Sequence, residues 1–132
     1  MSVDCIRLSV PAKPEYILVT RLTASSVATR AGFDIDTIED IKIAVAEAAI
    51  LVMNQGQNTE EIVLHFYLKE NELSIDVHAK SAGEGKDLGE ALDDEQRKMS
   101  IFILESMMDK VELCTEDGIL WRVKMQKKYG SR

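Results

Sequence analysis

The chain has 132 residues, of which 45% are hydrophobic and 30% are charged, a composition typical of one globular domain spanning residues 1–132. The formal net charge of −7 argues against nucleic acid as a partner, because phosphate-binding domains gain affinity from clustered Lys and Arg. No apolar run approaches the ~20 residues of a membrane span, and the amino terminus lacks a secretory pattern. Two cysteines in separate segments do not make a disulfide framework. These features predict a cytoplasmic domain.

The first part of the chain predicts one strand followed by two helices. Residues 5–11, CIRLSVP, carry apolar side chains at every second position, as in a half-buried strand. A helix is expected over residues 15–31, with Gly32 as its C-cap. The segment DIDTIED then offers Asp36 as the N-cap of a second helix, which Gly56 ends.

The rest of the chain predicts two hairpins separated by a loop and a third helix. Residues 61–80 alternate as two strands about a turn at Glu70 and Asn71. Residues 81–93 are polar, carry three glycines and predict a mobile loop. The segment DDEQRKMSIFILESMMDK predicts a helix, and VELCT, EDG and ILWRVKMQ predict a closing hairpin. Amphipathic strands accompanied by helices predict an α/β fold, an α+β two-layer sandwich with the helices on one face of the sheet.

Glu47 is the only charged residue between Ala44 and Met53 in the second helix. Burying a carboxylate costs several kcal/mol unless a partner neutralises it. A separate stripe of this helix can face the sheet, and it consists of Ile38, Ile41, Val45, Ala48 and Val52. Glu47 shares another side of the helix with Leu51 and Asn54. Its carboxylate therefore either faces a cavity, where it can act as a general base, or marks a solvated edge.

Two further sets of side chains have functional and purely structural interpretations. Arg21 falls in the apolar sector of the first helix, near Ala24 and Ala28, where it either snorkels from the edge or is presented to a partner. His65 and His78 lie on the polar face of adjacent predicted strands. Nothing nearby in the sequence completes a metal site, so the two histidines are predicted to be solvated surface side chains.

Three segments carry a resemblance to a known family: PAKPEY followed by RLT, IEDIKIAVAEA, and ESMMDKV. They closely resemble anti-sigma-factor serine kinases of the RsbW and SpoIIAB type, over nearly the whole chain. That group belongs to the GHKL ATPase superfamily, with histidine-kinase, gyrase and Hsp90 ATPase domains. The resemblance implies a Bergerat-type fold, with a mixed, mainly antiparallel sheet under helices, and ATP held with Mg²⁺ beneath a lid.

Three nucleotide-contacting positions of the family are changed in this sequence. The family's Glu-Ala-x-x-Asn motif uses its Glu as catalytic base and its Asn on Mg²⁺; Glu47 matches, but Leu51 offers no oxygen at the Asn position. Lys80 stands where the family's Asp accepts a hydrogen bond from adenine. Lys98 and Ser100 stand in the family's Gly-x-Gly turn. The resemblance therefore implies that ATP and Mg²⁺ are not used, and that Glu47 is catalytic only if the protein is active.

Arg21 matches an Arg that lies, in the family, on the surface used for partner binding. The resemblance implies a pseudokinase regulator of a partner-switching system, which binds a sigma factor or a STAS-domain anti-sigma antagonist. The alternative is an active ATP-dependent serine protein kinase that phosphorylates the antagonist, with Glu47 as base. A homodimer, or a heterodimer with a related kinase, is implied by analogy alone.

Overall fold

The computed structural model describes residues 3–54, 59–81 and 93–130. The elements, in chain order, are β1 (Asp4–Pro11), a short 3-10 turn (Pro14–Tyr16), α1 (Ile17–Ala31), α2 (Ile35–Met53), β2 (Thr59–Leu68), β3 (Glu72–Ser81), α3 (Asp94–Met107), β4 (Lys110–Glu116) and β5 (Ile119–Lys128). This order is the predicted one, and the α/β fold class is confirmed. The predicted loop after β3 and the predicted helix end at Gly56 lie outside the described residues.

The five strands form one sheet in the order β1-β2-β3-β5-β4, and all four pairings are antiparallel. The expectation of a mixed sheet is therefore wrong for the described strands. One row of paired residues crosses the face that supports the helices: Leu8, Leu64, Val77, Val123 and Leu113. The neighbouring row, on the opposite face, is Arg7, His65, Asp76, Lys124 and Glu112. Strand alternation thus separates an apolar face from a polar one.

Helix α2 lies at the centre of the helical layer and supplies much of the core. It packs against α1 on one side and α3 on the other, and it also contacts the sheet. The predicted stripe is confirmed for four of its five members, since Ile41, Val45, Ala48 and Val52 are at most 1% exposed. The fifth, Ile38, is half-buried and packs against the core. Burying one large aliphatic side chain contributes roughly 1.5–3 kcal/mol to folding. Among the described residues, no helix has the length and apolar character needed to cross a membrane.

The helix boundaries are set by local capping chemistry. Gly32 ends α1 with φ +93°, the left-handed conformation that a residue without Cβ adopts easily. The predicted N-cap Asp36 is wrong, because α2 begins two residues earlier. Asp34 is extended, and its carboxylate accepts a hydrogen bond from the Thr37 backbone N–H at 2.8 Å. Asp36 instead lies in the first turn, where a negative charge still favours the helix dipole.

Candidate functional site

A cavity of about 410 Å³ lies where the carboxyl end of β3 meets the end of α2 and the β4–β5 hairpin. Its described lining consists of Val52, Thr59, Ala79, Ser81, Glu116, Asp117, Ile119, Leu120 and Trp121. The aliphatic part of this lining is continuous with the core, since Val52 and Leu120 are at most 1% exposed. The cavity therefore has an apolar floor and a polar rim.

Glu47 is half-buried on α2 and is not among the described residues that line this cavity. One turn earlier, Ile43 is 39% exposed, so this side of the helix reaches solvent. Part of the Glu47 side chain is therefore accessible to water. A carboxylate with that access does not carry the full desolvation cost of a core position.

The residues near the end of α2 do not fit a magnesium ion. Leu51 is fully buried and has no oxygen in its side chain. The Asn54 amide donates through Nδ2 to the Ile50 carbonyl oxygen at 3.0 Å, so it ends the helix. Within the described part of the chain, no group of three or more His, Cys, Asp or Glu residues is arranged to hold a metal. Mg²⁺ requires oxygen ligands in near-octahedral geometry, and these residues offer none at the family position.

The end of β3 directs a different residue toward the cavity than the sequence suggested. Lys80 is 63% exposed in its side chain, and its Nζ lies 3.3 Å from Glu61 Oε1 on the neighbouring strand. Ala79 and Ser81 line the cavity instead, because successive strand residues point to opposite faces. The Ala79 methyl group, like the Lys80 ammonium group, cannot accept a hydrogen bond from an adenine amino group.

Glu61 holds the exposed Lys80 on the outer face of the sheet. Hydrogen bonds, first from Ser9 and then from Lys80, lower the pKa of the Glu61 carboxyl below its ordinary value. The carboxylate therefore remains charged, and Lys80 has a partner that does not belong to the cavity.

The start of α3 is a regular helix at the place where the family has its Gly-x-Gly turn. The N-cap is Asp93, and its side chain accepts from the Gln96 N–H at 2.8 Å while Gln96 Oε1 accepts from the Asp93 N–H at 3.1 Å. Lys98 is exposed and Ser100 is buried, both beyond the first turn. Backbone N–H groups at such positions bond within the helix and are not free for a phosphate.

Arg21 is exposed on the outer surface of α1 and is flanked by two leucines. Leu18 and Leu22 are 57% and 58% exposed. Arg21 and Ala28 are seven residues apart, which places them about 20° apart around the helix axis. The exposed Arg21 therefore lies at the edge of the face on which Ala24 and Ala28 are fully buried. The buried residues of α1 are Thr20, Ala24, Val27 and Ala28, and the two leucines lie outside this face. We call Leu18, Arg21 and Leu22 the α1 surface.

The polar face of the sheet contains a network that the sequence did not reveal. Asp76 is 5% exposed, and its Oδ2 accepts hydrogen bonds from two nitrogens of Arg122, one of them Nε at 2.7 Å. His78 Nδ1 lies 3.4 Å from Asp76 Oδ1, and the His65 ring stacks on the His78 ring with centroids 5.9 Å apart. The histidines are half-buried, so their predicted solvated state is wrong. In the sequence, the signal for this network was the position of Asp76 between two apolar residues, which are buried in the structure.

This network changes the charge behaviour of two of its members. The hydrogen bond to Asp76 raises the pKa of Arg122, a side chain that is protonated at physiological pH in any case. Burial lowers the pKa of His65, with the Asp76 carboxylate acting in the opposite direction. The network is remote in sequence from the cavity rim except at Trp121, whose ring lies 5.6 Å from the Arg122 guanidinium carbon.

The chain is similar to known proteins over most of its length. Residues 10–127 match a family model described as a histidine kinase-like ATPase domain. A protein of Listeria innocua named Serine-protein kinase RsbW is 33% identical, over 88% of this chain and 83% of its own. Proteins of the same name from Bacillus licheniformis and Bacillus velezensis are 33% and 31% identical, with 88% and 89% of this chain covered and 81% and 82% of theirs.

Proposed function

The chain belongs to the histidine kinase-like ATPase domain family, within the RsbW and SpoIIAB group, and on this premise we propose that it is a non-catalytic regulator of a partner-switching system. Its partner is then a sigma factor or a STAS-domain anti-sigma antagonist. The observation that carries the proposal is the α1 surface, where the exposed Arg21 lies beside Leu18 and Leu22.

The α1 surface has the chemistry of a protein interface. Arginine is enriched at binding hot spots because its planar guanidinium pairs with a carboxylate through two hydrogen bonds. The two leucines are one helical turn apart and contribute apolar area beside Arg21, worth about 25 cal/mol for each Å² that a partner removes from water. Both charged residues of α1, Arg21 and Arg30, are basic in a chain of net charge −7. The fitting partner therefore presents a carboxylate flanked by apolar side chains.

The absence of ATP use in this proposal is supported by several independent changes around the cavity. Leu51 is buried without an oxygen for the metal, and Ala79 has no acceptor for adenine. The carboxylates of Glu116 and Asp117 line the cavity, where they would repel a triphosphate. Each change weakens the contacts to a different part of the nucleotide. A single substitution can be compensated, but these changes together affect binding of the metal ion, the adenine ring and the phosphates.

The partner-binding proposal is tested by affinity measurement with purified sigma factors and STAS-domain proteins from the same organism. Arg21→Ala should weaken binding of the cognate partner at least tenfold, because a hydrogen bond to a charged group contributes about 1.5–3 kcal/mol. Arg30→Ala is the matched control, since it removes the same exposed side chain from the same helix. Equal affinities for the wild type and Arg21→Ala would exclude the α1 surface.

The absence of nucleotide use is tested separately by calorimetric titration with ATP and ADP, each with Mg²⁺. We expect no saturable heat and no thermal stabilisation at millimolar nucleotide. A serine kinase of the RsbW type, titrated in parallel, shows that the conditions support binding. Low-micromolar affinity in this chain would contradict the proposal and favour an active serine kinase, in which Glu47→Gln should then abolish phosphate transfer.

A further inference from the structure

We propose that the cavity between β3, the end of α2 and the β4–β5 hairpin binds a small apolar molecule that carries a cationic group. This ligand differs from a nucleotide in charge and in polarity. The proposal does not depend on the partner-binding surface of α1, which is formed by other residues.

The apolar part of the ligand is defined by the floor of the cavity. Four aliphatic side chains contribute to the lining: Val52, Ala79, Ile119 and Leu120. The volume of about 410 Å³ lies within the range of roughly 300–1,000 Å³ found for small-molecule sites. A rigid hydrocarbon body of one or a few rings can therefore enter, and its transfer from water supplies the attraction.

The cationic group is defined by the rim. Glu116 and Asp117 both line the cavity and are exposed, and within the described residues neither has an ion-pair partner. The described lining contains no Lys or Arg. Lys80 and Arg122, each next in sequence to a lining residue, form ion pairs with Glu61 and Asp76. The rim thus carries two negative charges that the described part of its lining does not compensate.

Hydroxyl groups on the opposite side of the rim complete the recognition of an ammonium group. Thr59 and Ser81 are paired in register at the ends of β2 and β3, and both line the cavity. An ammonium group has three donors and no acceptor, so hydroxyl and carboxylate oxygens are the groups that suit it. A phosphate in the same place would meet carboxylate oxygens, which cannot donate to it.

The test uses a matched series of rigid compounds: 1-aminoadamantane, 1-adamantanol and 1-adamantanecarboxylate, with ATP as the fourth probe. Trp121 is the only tryptophan of the chain and lies in the cavity lining, so its emission reports occupancy. We expect a saturable emission change and heat with the amine, weaker binding of the alcohol, and none with the carboxylate or ATP. Equal affinity for amine and carboxylate, or binding of ATP alone, would overturn the proposal.

Two variants separate the apolar contribution from the charged one. Glu116→Gln with Asp117→Asn should reduce the affinity for the amine about three- to tenfold and leave that for the alcohol unchanged. Asn tolerates the left-handed conformation of Asp117, φ +52°. Ala79→Leu should abolish binding of both compounds by filling the cavity, with thermal unfolding measured to confirm that the variant folds. Unchanged amine affinity in the carboxylate variant would also refute the assignment. If 1-aminoadamantane failed to bind, the separate proposal of partner binding through Arg21 would be unaffected.

Discussion

Asp76 shows how one side chain can organise a whole face of the sheet. It is a buried carboxylate, and three side chains approach it: Arg122 through a two-nitrogen contact, His78 at 3.4 Å, and the His65 ring through its stacking on His78. A buried charge is tolerated here because the Arg122 guanidinium pairs with it. This ion pair joins β3 to β5 and therefore constrains how the two strands are aligned.

Removal of Arg122 should be costly because it leaves the Asp76 carboxylate buried without its cation. We expect Arg122→Ala to lower the free energy of unfolding by about 2–4 kcal/mol. Lys124→Ala is the control, since Lys124 is exposed on the same strand and the same face and should cost less than about 0.5 kcal/mol. Urea denaturation measures both. Similar values for the two variants would show that the ion pair does not contribute to stability.

His65 should make stability depend on pH. Burial lowers its folded-state pKa below the unfolded value of 6.5, so the unfolded chain binds the proton more readily. Stability is therefore full above pH 6.5 and is lost as the pH falls through 6.5 toward the lowered pKa. His65→Gln should flatten the difference in urea midpoint between pH 8 and pH 5.5. The neighbouring Asp76, His78, Arg7 and Arg122 remain in that variant, so an unchanged difference would assign the pH dependence to them.

At the scale of elements, α1 combines a closely packed inner face with an apolar outer one. Ala24 and Ala28 are fully buried, and their small size allows α1 to approach α2. The leucines Leu18 and Leu22 are left on the outside, with Arg21 between them in sequence. Helical periodicity alone does not separate the two faces, because both are apolar. Only the contact with α2 decides which face is buried.

The α1 surface can be tested against the buried face of the same helix. Replacing Leu18 and Leu22 by Ser should change stability by less than about 1 kcal/mol in total, because both are exposed, yet weaken partner binding. Ala24→Leu should do the reverse and destabilise the fold by about 1–3 kcal/mol through overpacking. Thermal unfolding and partner titration of both variants provide the comparison. A large stability loss in the serine variant would indicate a structural role for the leucines.

The start of α2 gives a sharp test of local capping. Asp34→Ala should cost about 1 kcal/mol, since it leaves the Thr37 N–H without the carboxylate that accepts it. Asp36→Ala should cost about half as much or less, because Asp36 contributes only through the helix dipole. Denaturation of the two variants ranks them directly. A larger loss of stability for Asp36→Ala than for Asp34→Ala would indicate that Asp36 is the N-cap.

At the scale of the whole molecule, the chain has the predicted order of elements, and its cavity is the feature on which our proposal of no ATP use depends. The strands and helices follow in the predicted order, and α2 carries the predicted apolar stripe into the core. The cavity, in contrast, has aliphatic side chains and two carboxylates where a nucleotide would need acceptors, a metal ligand and free amides. The α1 surface, which we propose as the partner-binding site, is formed by other residues. The two properties can therefore be altered independently.

The sequence by itself determined the order of the elements and some of their ends, because alternation, helical periodicity and glycine conformation act over a few residues. Gly32 and the turn at Glu70 are examples. It also determined that Leu51 has no oxygen for a metal, since that is a property of the side chain alone. Only the tertiary structure decided that Ala79 and not Lys80 lines the cavity, that His65 stacks on His78, and that Arg21 is exposed. Those facts depend on strand register and helix packing, which join residues far apart in the chain.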